Sequence, residues 1–257
     1  MFWSEIISLC VKKGGSGDTT YLLLHGLGCG NHVWQGLISL IDENRAGKWI
    51  APDMRGHGRS DWTDSYALGH HAYDLIPIIK DEKNIFIIGH SMGALIAMVL
   101  ASGIFDLKIK ALLGIGPKID WPAEERTKLN AFASKPARWF STREEAIERY
   151  LHVSGLKGII DPTDEQLTHA IFEGSEGFRL SADPKTVNVG GPPEGIYAAA
   201  SFATKCRLAC GETDNVTSID RLRSLDPNAV VLSGLSHNAH VEDPLTIWKV
   251  VQSMDII

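Results

Sequence analysis

Short apolar runs bounded by polar or glycine positions recur along the chain and alternate with segments whose apolar residues return at helical spacing. The runs predict strands over residues 6–12, 20–25, 49–51, 85–89, 111–115, 206–210 and 229–233. Each is short and mostly apolar, as strands covered on both faces must be. Alternation of such strands with helical segments predicts a mostly parallel sheet with helices on both faces. The GGSG stretch from Gly14 to Gly17 reads as a hairpin turn between the first two strands.

From about residue 116 to 197 the alternation stops, and helical signals replace it. Ser141 with Glu144 reads as a capping box ahead of EEAIERYL, and Thr163 with Gln166 as another ahead of LTHAIF. This predicts one α/β core, residues 1–115 and 198–257, interrupted by a helical cap over 116–197. The aromatics of that insertion, Trp121, Phe132, Trp139, Phe140, Phe172 and Phe178, are expected mostly to form its own small core. A few are expected to line a pocket above the sheet's C-terminal edge, where open α/β sheets bind ligands.

Composition narrows the partners. The 257 residues are 44% hydrophobic and 22% charged, ordinary values for a soluble globular domain. A net charge of −6 with no basic stripe, Lys108 and Lys110 being an isolated pair, argues against nucleic acid or an anionic membrane surface. The first residues carry Glu5 within their apolar stretch and no positive segment, so they do not read as a secretory signal, and no apolar run is long enough to span a bilayer. Cys10, Cys29, Cys206 and Cys210 follow no ligand or disulfide spacing. A reduced, cytoplasmic protein is the expectation, and the sequon at Asn215 has no physical meaning there.

Candidate chemistry begins with G-x-S-x-G at residues 89–93, between a buried run and an Ala/Leu/Ile/Met helix. Gly89 and Gly93 remove side chains where strand and helix converge, so Ser91 can take a strained conformation with its Oγ exposed. Ser91 could also merely cap the helix; the flanking strand and helix favour a nucleophile. A serine hydroxyl needs a base and a group to orient that base. Asp214 follows the strand at 206–210, and His237 follows the strand at 229–233, giving the order Ser, Asp, His. Glu212 rivals Asp214 but sits nearer the strand end, where it could hold loop backbone. His240 rivals His237, yet the HxxH spacing lacks a third ligand, so no metal is expected.

An oxyanion hole needs two N–H donors, and Met92 supplies one. In the HGLGCG loop Leu27 is the first choice for the second, with Gly28 the alternative, and losing such a donor costs about 3 kcal/mol. The glycines at 26, 28 and 30 also allow a phosphate-binding turn, but Asn31 stands where a dinucleotide fingerprint needs glycine, so no cofactor is expected. Asp53, in DMRGHGRSD, reads as part of a hydrogen-bonded surface turn and as structural.

HGLG at 25–28, DMRGHGRSD at 53–61, GHSMG at 89–93, GETD at 211–214 and SHNAHVEDP at 236–244 together resemble the α/β-hydrolase superfamily, in its branch of small capped esterases and lipases. The resemblance covers all but the insertion, and implies the triad Ser91, Asp214 and His237 and carboxylesterase activity on a small or medium acyl ester. Serine at the elbow separates the chain from dehalogenases and epoxide hydrolases that resemble this pattern but carry Asp there. His90 is common in esterases, whereas carbon–carbon bond hydrolases usually have Asn at that place. Arg207 stands where relatives often have proline. Lactonase, thioesterase, carbon–carbon hydrolase or lyase use of the same triad stays open, as does a slow-turnover ligand receptor; oligomeric state is not legible.

Overall fold

The computed structural model describes residues 7–254. The strands are β1 (Val11–Gly15), β2 (Thr19–Leu24), β3 (Lys48–Pro52), β4 (Asn84–His90), β5 (Ile109–Ile115), β6 (Ile171–Gly174), β7 (Gly177–Leu180), β8 (Lys205–Gly211) and β9 (Val230–Leu232). Seven of them form one sheet in the order β1-β3-β2-β4-β5-β8-β9, and β6 pairs with β7 apart from it. Every pairing in the large sheet is parallel except that of β1 with β3. Parallel neighbours need crossovers, and the chain supplies α1 (Gln35–Glu43), α2 (Leu68–Ile79) and α3 (Met92–Ala101) between the early strands.

The apolar runs bury both faces of the sheet. Tyr21 and Leu23 of β2, with Phe86 and Ile88 of β4, face one core that includes Leu37 of α1. Leu22 and Leu24, with Ile85 and Ile87, face the other, against Leu75 of α2 and Leu95 of α3. This alternation along strands without a polar face is what requires helices on both sides. α3 itself is buried along its whole length, so its residues are apolar all round.

Beyond β5 the insertion contains α4 (Ala123–Ala133) and α5 (Arg143–Val153), then the β6–β7 hairpin, and α6 (Ile196–Ala203) brings the chain back to β8. A hairpin in a region expected to be helical is a correction. Its pairing is completed from outside, because Phe178 exchanges backbone hydrogen bonds with Phe140 ahead of α5, at 2.7 and 3.0 Å. Both capping boxes are shifted by one residue. Thr142, not Ser141, accepts from the Glu145 N–H, while Glu145 reaches back to the Ser141 N–H. Asp164, not Thr163, caps a short 3-10 turn over Glu165–His169 that ends in β6 instead of continuing as a helix. Closing the core are α7 (Ile219–Arg223), α8 (Ala239–Glu242) and α9 (Pro244–Ser253), the last packed on α1.

The first strand and its turn also differ from expectation. Ile6 lies outside the described residues, and Ser8 and Cys10 use their N–H groups on Asp61 and Ser60 rather than in a ladder. Gly14 and Gly15 belong to β1, opposite Trp49 and Lys48 of β3, so GGSG does not close a hairpin with β2. A Cβ on Gly14 would collide with the Trp49 ring, which explains the glycine there. No helix among the described residues is long and apolar enough to cross a membrane.

Candidate active site

β4 is the middle strand of the seven, and at its end Ser91 takes φ 51°, ψ −113° before α3 begins. A left-handed φ on a residue with a Cβ costs about 1–3 kcal/mol and persists only where surroundings impose it. Here they do. The Ser91 N–H donates to the Ile115 carbonyl of β5 at 2.8 Å, and the Ser91 carbonyl accepts from Ala94 at 3.1 Å as the first bond of α3. One residue is therefore held by a sheet and a helix at once. The flanking glycines are steric requirements: a Cβ on Gly89 would lie 2.5 Å from the Gly93 carbonyl oxygen, and one on Gly93 would collide with the Leu24 carbonyl.

Asp214 and His237 lie in the loops after β8 and β9, at the same edge of the sheet. His237 Nδ1 donates to Asp214, 3.0 Å from Oδ2 and 3.1 Å from Oδ1. The Asp214 side chain has no exposed surface while that of His237 is 18% exposed, so the acid is shielded and the imidazole can reach a ligand. Asp214 Oδ1 also accepts from the N–H groups of Val216 and Thr217. Glu212 is spent elsewhere, accepting from the Gly234 N–H at 2.8 Å. His240 is buried against the rings of Trp34 and His90, and neither of its ring nitrogens meets a hydrogen-bond partner among the described residues.

Ser91 meets this pair through its neighbour. His90 Nε2 donates to the His237 carbonyl at 2.9 Å, and the two imidazoles lie 4.7 Å apart. Hydrogen bonds among the described residues do not include one from Ser91 Oγ to His237 Nε2. Such bonds commonly tighten only when substrate is bound. Burial, and then the neighbouring His240 and His237, push the His90 pKa well below its ordinary value.

Facing Ser91 is the loop after β2. The Cys29 N–H donates to the Gly26 carbonyl at 3.2 Å, closing a turn in which Gly28 has φ 75°, a conformation suited to glycine. His25 is fully buried; its Nε2 accepts from the Met54 N–H at 2.9 Å, so Nδ1 carries the proton and donates to the Gly26 carbonyl at 2.8 Å. Gly26 packs so closely that a Cβ would lie 3.3 Å from Ser91 Cβ. Met92 begins α3 beside Ser91, and Leu27 follows Gly26 in the turn, so both candidate donors border the serine.

Three supports escaped the sequence reading. Gly116, φ 56°, lies where a Cβ would stand 2.9 Å from Asp214 Oδ2 and 3.0 Å from His237 Nδ1; a glycine directly after a strand was its only signal. Asn238, next to His237, donates to the Ser154 and Gly155 carbonyls just past α5 at 3.0 and 3.1 Å. His32 Nε2 and the Tyr150 hydroxyl of α5 share a buried hydrogen bond of 2.7 Å. The Asp53 segment is a buried turn, not a surface one: Asp53, Met54 and His57 are fully buried. Asp53 Oδ1 accepts from the Asn31 N–H at 2.7 Å, tying this turn to the loop before α1.

A cavity of 330 Å³ adjoins the loop at Leu27 and Gly28 and is walled by Phe132, Phe140, Val153 and Leu180 of the insertion. Phe132 and Phe140 are thus the cap aromatics that line it. Trp139 and Phe172 instead surround the Arg179 guanidinium. The four cysteines are free, and burial raises the pKa of Cys29 and Cys206 to about 12.

The family model described as "Alpha/beta hydrolase family" matches residues 21–248. Lipase LipV of Mycobacterium tuberculosis is 27% identical over 186 residues, 68% of each chain. Putative esterase/lipase 2 of Mycoplasma genitalium is 34% identical over 116 residues, covering 43% of this chain and 42% of that protein. Among solved structures, the thioesterase domain from the curacin biosynthetic pathway superposes with a TM-score of 0.77 at 20% identity over 95% of both chains, a likeness of fold. With the strand order, the parallel sheet and a family match across most of its length, the chain belongs to the alpha/beta hydrolase family.

Proposed function

We propose that the protein is a cofactor-independent serine hydrolase that cleaves a carboxylic ester of a small or medium acyl group. Ser91 Oγ attacks the ester carbonyl carbon while His237 Nε2 takes its proton. The C–O bond to the alcohol then breaks, and His237 returns the proton to the leaving oxygen. Water repeats the cycle on the acyl-enzyme and frees Ser91. Asp214 holds the imidazole with Nδ1 protonated and stabilises its charged form, while the Leu27 and Met92 N–H groups donate to the oxyanion.

The observation that carries this reading is a serine at a strained strand-to-helix turn whose preceding residue, His90, donates to the backbone of an accessible histidine, which in turn donates through Nδ1 to a fully buried carboxylate. The lipase and esterase names of the relatives support an ester as the substrate. Stoichiometric labelling by a fluorophosphonate and turnover of short p-nitrophenyl esters are expected, with both lost in Ser91→Ala. Unchanged turnover in that variant would overturn the reading.

A further inference from the structure

The cavity beside Leu27 has a charge pattern opposite to that of the chain. Lys135, Arg138 and Arg149 stand in its wall, in a protein of net charge −6. Lys135 and Arg138 come from the segment between α4 and α5, and Arg149 from α5 itself, so two elements bring three cations to one opening. None of the three makes an ion pair among the described residues, whereas Lys128 and Lys157 in the same insertion pair with Glu124 and Glu148. Asp183 is the only carboxylate in the wall, and it is already engaged: Oδ2 accepts from the Tyr66 hydroxyl at 2.6 Å and Oδ1 from the Lys185 N–H at 2.9 Å.

The remaining wall is apolar except for Thr186, whose hydroxyl donates to the Asp183 carbonyl, and the Arg138 guanidinium rests 4.8 Å over the Phe140 ring. Stacking holds the cation against the cleft while leaving its N–H groups for a ligand. A volume of 330 Å³ is at the small end of ligand sites. An apolar slot that starts at Leu27 and ends at three cations without an ion pair among the described residues suits a short chain with an anionic end.

We infer that the substrate is an ester carrying a carboxylate a few carbons from the scissile bond, with its chain against Leu27, Phe132 and Phe140 and its carboxylate at Lys135, Arg138 and Arg149. This rests on the ester-hydrolase reading above. The carboxylate can be borne by the acyl group or by the alcohol, and two substrate pairs separate these sources: monomethyl adipate against methyl hexanoate, and the acetate ester of ω-hydroxyhexanoic acid against hexyl acetate.

The test measures kcat/KM for each pair. One anionic ester is expected to exceed its neutral counterpart by about tenfold or more, since a hydrogen bond to a charged group is worth that much. The preference should shrink with added salt. In Arg138→Gln/Arg149→Gln the anionic-to-neutral ratio is expected to fall about tenfold, whereas Arg138→Lys keeps most of it. The ratio is insensitive to partial misfolding, which lowers both rates together. Neutral esters turned over as fast as both anionic ones, or a ratio unchanged in the double variant, would overturn this inference alone. Absence of turnover on every ester would overturn the hydrolase reading instead.

Discussion

Gly26 shows how closely the candidate catalytic residues depend on an absent side chain. A Cβ there would stand 2.7 Å from His90 Nδ1 and 3.3 Å from Ser91 Cβ, so the loop bearing Leu27 would have to retreat from the serine. Gly26→Ala is expected to lower kcat/KM at least about tenfold through displacement of the proposed oxyanion donor Leu27, with a far-UV spectrum like that of the parent. Steady-state kinetics on a neutral ester, beside circular dichroism, checks both. The glycine was visible in HGLGCG, but its neighbour was not, because His90 and Ser91 are more than sixty positions away in the chain. For Asp214 and Glu212 the preference was legible in the sequence, Glu212 being expected on loop backbone, but the partners were not. Both carboxylates sit in GETD, and only the loop fold turns one toward His237 and the other toward the Gly234 N–H.

At the level of elements, the turn after β3 is locked to α2 by an ion pair. Arg55 donates through Nε and Nη2 to the two oxygens of Asp74, each at 2.6 Å, and both side chains are under 10% exposed. Removing one partner leaves a buried charge, so Arg55→Met is expected to destabilise the protein by about 3–5 kcal/mol. Urea unfolding measures it, and a loss below 1 kcal/mol would mean that Asp74 finds water. DMRGHGRSD announced a turn but not its burial, because polar residues look solvated until the insertion is laid over them. Trp62 and Tyr66 beside this turn bond to Ser181 and Asp183 after β7. The β6–β7 hairpin was illegible for a related reason: its third backbone partner, Phe140, lies more than thirty residues earlier, ahead of α5. In the core, by contrast, the six strands after the first agree with expectation within a residue or two, since runs buried on both faces carry their own signal.

Across the molecule, an unusual number of imidazoles are held inside. His25, His32, His57, His71, His90 and His240 are all nearly or fully buried. Burial lowers the pKa of His25 to about 4 and of His32, His57 and His240 to about 3, and that of His71 and His90 well below 6.5. Above pH 6.5 these groups are neutral in both states and leave stability unchanged. As pH falls below 6.5 the unfolded chain takes up protons that the native protein refuses, so each histidine removes about 1.4 kcal/mol per pH unit until its folded pKa is reached. All six act in the same direction, so stability falls as the pH drops below 6.5. Cooperative acid unfolding is therefore expected between about pH 6 and pH 4, read by circular dichroism against pH; a native spectrum at pH 3.5 would contradict it. By itself the sequence determined the parallel sheet and the glycine-flanked strand-to-helix turn at Ser91, because these follow from local runs and spacings. Only tertiary structure decided that Glu212 is spent on the Gly234 N–H, that the Asp53 turn is buried, and that three cations of the insertion converge beside Leu27, because each is a contact between segments that approach one another only when the sheet is complete.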